Sequence, residues 1–125
     1  MRRLLQSFAR GEGGSTAVEY ALILPAFVSL IVGGVCAAQL AFAVNSLHYA
    51  VEDAARCAAV KTHVCTSAST TISYAQGRYS GPRIAPDFSY SASGCGHTVS
   101  ATGRYPIFLA AYTLDVPISA TACYP

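Results

Sequence analysis

From Tyr20 to Val51 the chain carries no Asp, Glu, Lys or Arg. Its most apolar part, Ala21 to Val44, is about 24 residues, long enough to cross a bilayer with some tilt. A transmembrane helix is therefore expected. Arg2, Arg3 and Arg10 precede it while Glu52 and Asp53 follow it, so the bias of Lys and Arg puts the N-terminus in the cytoplasm and the remainder in the periplasm or outside. Of 125 residues, what is left allows one small domain at most. The net charge of +2 and the scattering of Arg56, Lys61, Arg78, Arg83 and Arg104 give no basic patch for nucleic acid.

A cleavable secretory signal also has a basic start and an apolar run, but its apolar region spans only about 7 to 15 residues and ends at a small-x-small site. Here the run continues into a helical pattern without a break. A lipoprotein cut before Cys36 fails on the bulk of Val35. The double-glycine leader of exported peptides matches Gly13-Gly14 superficially, yet Gly11 occupies a position that usually carries an apolar side chain. What distinguishes this start is Glu19, an ionisable residue at the edge of the apolar run. Left unpaired it costs on the order of 2 to 3 kcal/mol, so a positive partner is expected.

The segment Ala17-Val18-Glu19-Tyr20-Ala21-Leu22-Ile23-Leu24-Pro25, followed later by Ala54-Ala55-Arg56, resembles the TadE-like minor pilins, or pseudopilins, of the tight-adherence (Flp, type IV) pilus system. The resemblance covers roughly 13–60 and is loose beyond. It implies cleavage by a prepilin peptidase after Gly14, with Ser15 as the new N-terminus and Glu19, Tyr20 and Pro25 in the segment that peptidase and assembly machinery recognise. It also implies partners: other minor pilins, the major Flp pilin and an inner-membrane assembly platform driven by a cytoplasmic ATPase. Cleavage would free an α-amine that is largely protonated near neutral pH. Ser15 and Glu19 are one helical turn apart, so that amine could meet its own Glu19 or the Glu19 of a neighbouring subunit.

Pro25 removes one backbone donor early in the span and opposes the carbonyl of Ala21, so a local loosening is expected. Gly33 and Gly34 permit close helix approach, though not at small-xxx-small spacing. No Pro or Gly occurs between Val35 and Val60, and Leu40, Val44, Leu47, Val51, Ala54 and Ala58 form an apolar seam at helical spacing. One helix from near Ser15 to near Val60 is expected, roughly 70 Å long at 1.5 Å per residue. Its seam packs either on the chain's own domain or on another subunit. Glu52 and Arg56 lie on its outer face, and His48 near the membrane exit.

Cys36 lies inside the span and reads as an apolar filler. Cys57, Cys65, Cys95 and Cys123 lie in the part assigned to an oxidising compartment, where four cysteines imply two disulfides and three connectivities. A Cys57–Cys65 bridge requires the helix to end before Cys65, and Lys61 to Val64 can supply that end. Cys95 would then pair with Cys123, the connectivity we favour of the three. His63 and His97 stand near cysteines but lack the spacing of a zinc site, so no metal or other cofactor is expected.

Thr66 to Thr71 can cap a second, short helix running through Ile72, Tyr74 and Ala75 toward Arg78, ended by Gly81-Pro82. Alternation then marks three antiparallel strands: Phe88, Tyr90 and Ala92; Val99, Ala101, Gly103 and Tyr105; Val116, Ile118, Ala120 and Ala122. Ser93 to Gly96 reads as a turn, and Pro106 to Tyr112 as a longer connection with a helical turn. One sheet face should rest on the long helix, since a short sheet alone is marginal in water. Tyr79, Tyr90, Tyr105 and Tyr124 read as packing aromatics.

The expected fold is α+β and pilin-like, a long N-terminal helix packed on an antiparallel sheet of three or four strands. Its parts are a leader at 1–14, a transmembrane helix at 15–47, a periplasmic continuation at 48–64 and a disulfide-bonded domain at 65–125. No nucleophile with a base and an orienting acid, and no phosphate-holding loop, points to an enzyme. The expected function is a minor pilin, held in a bacterial inner membrane and then incorporated into or priming a pilus for adhesion and biofilm formation. The alternative is an uncleaved single-pass anchor for a periplasmic binding module.

Overall fold

The computed structural model describes residues 14–109 and 111–125. The expected leader, with Arg2, Arg3 and Arg10, falls almost entirely outside them. The chain forms two compact units divided between Cys36 and Ala37. The described part of the first is helix α1, which runs Gly14–Val60 and continues into the second. Pro25 lies within that helix, and the Ser29 hydroxyl donates to the Pro25 carbonyl at 2.7 Å, one turn back. Between Val18 and Val35 the large apolar side chains are all substantially exposed, from Ile31 and Val28 at 48% to Leu22 and Leu30 at 74%.

The second unit is built on the later turns of α1. Lys61 N donates to the Cys57 carbonyl, and Val64 N and Cys65 N both donate to the Lys61 carbonyl, folding the chain back at once. That return brings Cys65 to a Cα distance of 5.9 Å from Cys57, and the two form a disulfide. Helix α2, Ala68–Arg78, starts at Ser67, whose hydroxyl accepts from Thr70 N while Thr70 Oγ1 accepts from Ser67 N, a reciprocal capping box. Three antiparallel strands follow, β1 (Asp87–Ser93), β2 (Gly96–Leu109) and β3 (Tyr112–Tyr124), in the order β1-β2-β3. A second disulfide joins Cys95, in the β1–β2 turn, to Cys123 near the end of β3.

The sheet rests on α1. Ala43, Leu47, Ala50, Val51, Ala54 and Ala55 share one core with Val99, Ala101 and Tyr105 of β2, Ile118 and Ala120 of β3, Phe88 of β1 and Ala75 of α2. Four of the six helix residues in this core, Ala43, Ala50, Ala54 and Ala55, are alanines, which lose little side-chain entropy on burial. The seam expected from sequence is this buried face. Leu47, Val51, Ala54 and Ala58 are buried, and Leu40 and Val44 pack against its edge. The architecture is α+β, with three strands rather than four.

One expectation fails in the sheet. Pro106 to Tyr112 is not a long connection with a helical turn: β2 runs on to Leu109, β3 starts at Tyr112, and Pro106 pairs with Asp115. The β1–β2 ladder reaches only to Thr102, so Pro106 lies where β2 has only one neighbour. Pro117 lies in β3, an edge strand. A missing N–H is tolerated at both, because it need not serve a second ladder.

Candidate assembly segment on the apolar helix

Gly14 is the first residue of α1, and a Cβ added there would meet nothing within 4 Å. The described structure therefore gives Gly14 no steric reason to be glycine. Ser15 follows within the helix. Glu19 lies one turn further on, exposed, with no ion pair among the described residues. Tyr20 is 70% exposed. Glu19, Tyr20 and Pro25 thus share one helical segment whose side chains find no packing partners in the described structure. Gly33 and Gly34 are equally open, and Cys36 is a free, half-buried thiol.

The second unit offers polar networks instead, and none of them was legible in the sequence pattern. Arg78 Nε lies 2.7 Å from Asp53 Oδ2. The Arg78 guanidinium donates to the Tyr74 hydroxyl, which itself donates to Asp53. Tyr74's hydrogen bond, then the Asp53 charge, hold the Arg78 pKa above its already high ordinary value. This triad ties α2 to α1. Ser46, buried on α1, accepts from Ser80 N at 2.9 Å and fixes the chain after α2. The Tyr105 hydroxyl donates to Gln39 Oε1 at 2.9 Å, and Tyr79 donates to the Pro82 carbonyl. Burial, with a smaller contribution from Tyr105, pushes the Tyr79 phenol up.

His97 Nδ1 shares a 2.7 Å hydrogen bond with the Tyr90 hydroxyl, while His48 and His63 are exposed. Among the described residues no group of three His, Cys, Asp or Glu side chains is placed to hold a metal. An open cleft of about 530 Å³ between α1 and β3 is lined by Tyr49, Glu52, Arg56, Thr121 and Tyr124 among others. It juxtaposes the acids Glu52 and Asp53 with the base Arg56 and the hydroxyls of Tyr49, Thr121 and Tyr124.

The second unit has its own core and disulfides, and among the described residues the first is a long apolar helical segment with a carboxylate near its start and exposed large side chains from Val18 to Val35. An α+β unit behind one helix long and apolar enough to cross a bilayer fits the class of single-pass membrane-anchored proteins. Residues 14–56 match the profile of the family described as TadE-like protein. The match covers most of α1 and none of the sheet, so what is similar to the TadE-like family is the helix. No curated protein and no solved structure matches the chain.

Proposed function

We propose that the chain is a minor pilin, processed after Gly14 and then incorporated into or priming a Tad pilus that serves adhesion and biofilm formation. The observation that carries this reading is where the family match begins: at Gly14, the residue the sequence places on the leader side of the cut. In this reading the N-terminus faces the cytoplasm, the second unit the periplasm, and α1 holds the chain in the inner membrane until assembly. The chain performs no chemistry of its own. Its partners are a prepilin peptidase, other minor pilins, the major Flp pilin and the assembly platform.

After cleavage the Ser15 amine lies one turn from Glu19 and offers the cation that the carboxylate lacks among the described residues. N-terminal sequencing of membrane-extracted protein from a host with the peptidase tests the reading. A chain starting at Ser15 is expected; one retaining 1–14 overturns it in favour of an uncleaved anchor for a binding module. Glu19→Gln should then leave the protein membrane-bound while abolishing its recovery in sheared pili.

A further inference from the structure

The β2–β3 hairpin extends past the rest of its sheet. Beyond the Asp87↔Thr102 pair β1 is absent, yet β2 and β3 continue pairing to Leu109↔Tyr112. From Tyr105 to Leu114 there is no charged residue. Phe108 is 79% exposed, more than any large apolar residue of the apolar helix, and Tyr112 and Leu114 are 67% and 50% exposed. In the ladder Ile107 is paired with Leu114, and Phe108 with Thr113. Side chains alternate between faces, so Ile107, Tyr112 and Leu114 continue the core face while Phe108 stands on the opposite one. A tip that is apolar on both faces suits immersion rather than docking against one flat partner.

Contacts within the second unit fix which end this tip occupies. Tyr90, opposite Val99, packs against the buried cluster that Cys57 and Ala58, late in α1, form with Cys65. Tyr105 bonds to Gln39, at the unit's first turn. Strand β2 therefore runs antiparallel to this part of α1, and the tip continues about 13 Å past Tyr105 at 3.3 Å per residue. It lies at the end of the unit where the chain passes, at Cys36, into its apolar segment.

We propose that this hairpin tip is a second membrane contact, which seats Phe108, Tyr112, Ile107 and Leu114 among the headgroups and upper acyl chains of the bilayer holding the helix. The inference rests on the anchored reading of α1. Tyrosine and phenylalanine at such a border gain from burying the ring, with the tyrosine hydroxyl kept at the polar level. Two contacts, helix and tip, would fix the orientation of the domain on the membrane before assembly. A single span leaves it free to swivel.

The chain contains no tryptophan, so single substitutions report without background. Phe27→Trp in the apolar segment, Phe108→Trp and Tyr112→Trp at the tip, and Tyr124→Trp at the opposite end of the sheet are each made in the full chain. They are reconstituted into phosphatidylcholine vesicles with or without brominated acyl chains. The tip variants are expected to show blue-shifted emission and bromine quenching within about twofold of Phe27→Trp, with Tyr124→Trp unquenched. Tip variants behaving like Tyr124→Trp while Phe27→Trp is quenched overturn the proposal and leave the anchor standing. Blue-shifted but unquenched tip emission also overturns it, because the tip is then covered by protein. An unquenched Phe27→Trp overturns the anchored reading itself and the proposal with it.

Discussion

Leu47→Ala tests whether α1 changes solvent along its length. Leu47 has no exposed surface and lies in the core shared by helix and sheet. Truncation removes three carbons, worth about 2.4 kcal/mol in transfer at ~0.8 kcal/mol each. Its helical neighbours one turn away are Ala43, Ala50 and Val51, too short to fill the void, so a cavity term adds and the total is about 3 kcal/mol. A domain of this size has roughly 5 to 10 kcal/mol in all. With a urea slope of about 1 to 2 kcal/mol per M, the unfolding midpoint should fall by about 1.5 to 3 M. The same change at Leu22, 74% exposed on the same helix, should leave that midpoint in place and weaken membrane insertion by about 0.5 kcal/mol. Near-UV circular dichroism of the tyrosines, on the full chain in detergent, reads both variants. A Leu47→Ala shift under about 0.5 M, or equal shifts for the two variants, would refute a helix that is protein-packed at Leu47 and lipid-facing at Leu22.

Gly96→Ala should destabilise the β1–β2 hairpin by about 1 to 3 kcal/mol, since φ is +128° and an added Cβ would strike the Tyr124 carbonyl; Ala85→Gly, at φ 45°, should be neutral to stabilising by up to about 1 kcal/mol. Paired urea titrations check the opposite signs. The raised Tyr79 pKa makes a pH prediction: the fold favours the neutral phenol, so its contribution is intact below about pH 10 and is lost as pH rises through the folded value. Stability measured from pH 8 to 11 should therefore fall less steeply in Tyr79→Phe than in the parent chain.

What was readable in sequence was whatever repeats with a short period or acts over a few residues. The seam from Leu40 to Ala58 declares itself at spacings of three and four, and the Ser67–Thr70 capping box is complete within four residues. The strand faces through Val99, Ala101 and Tyr105 follow from alternation, whereas spacing left three cysteine connectivities open, of which the favoured one, with Cys57–Cys65, is the one formed. The lost features are of two kinds. Polar ties such as Tyr105 to Gln39, separated by 66 positions, join residues whose partners depend on the final topology. Asp53 with Arg78, and Ser46 with Ser80, are alike in that respect. Pro106 misleads for a different reason. Pro106 obeys the rule that excludes proline from central strands, but whether a strand is central at that point depends on where β1 ends, and no local pattern in β2 shows that.

The assembly segment poses a harder physical problem than the domain, because its two requirements conflict. Eleven large apolar side chains between Val18 and Val35 lie exposed. At about 1.5 to 3 kcal/mol for each one fully buried, leaving them in water is excluded by well over ten kcal/mol, so only lipid or other helices can cover them. Glu19 heads the same segment, and covering it with other helices is costly unless a cation accompanies it. In lipid the conflict is mild, since a carboxylate at the edge of the span can remain at headgroup level. Between packed helices that escape is closed, and the needed cation must come from the helices themselves. On the proposed reading, cleavage after Gly14 supplies it one turn away, at the end of every subunit. The uncut chain would then be stable in the membrane yet unable to bury its helix among others, which makes processing a thermodynamic condition for assembly and not merely the removal of an obstruction.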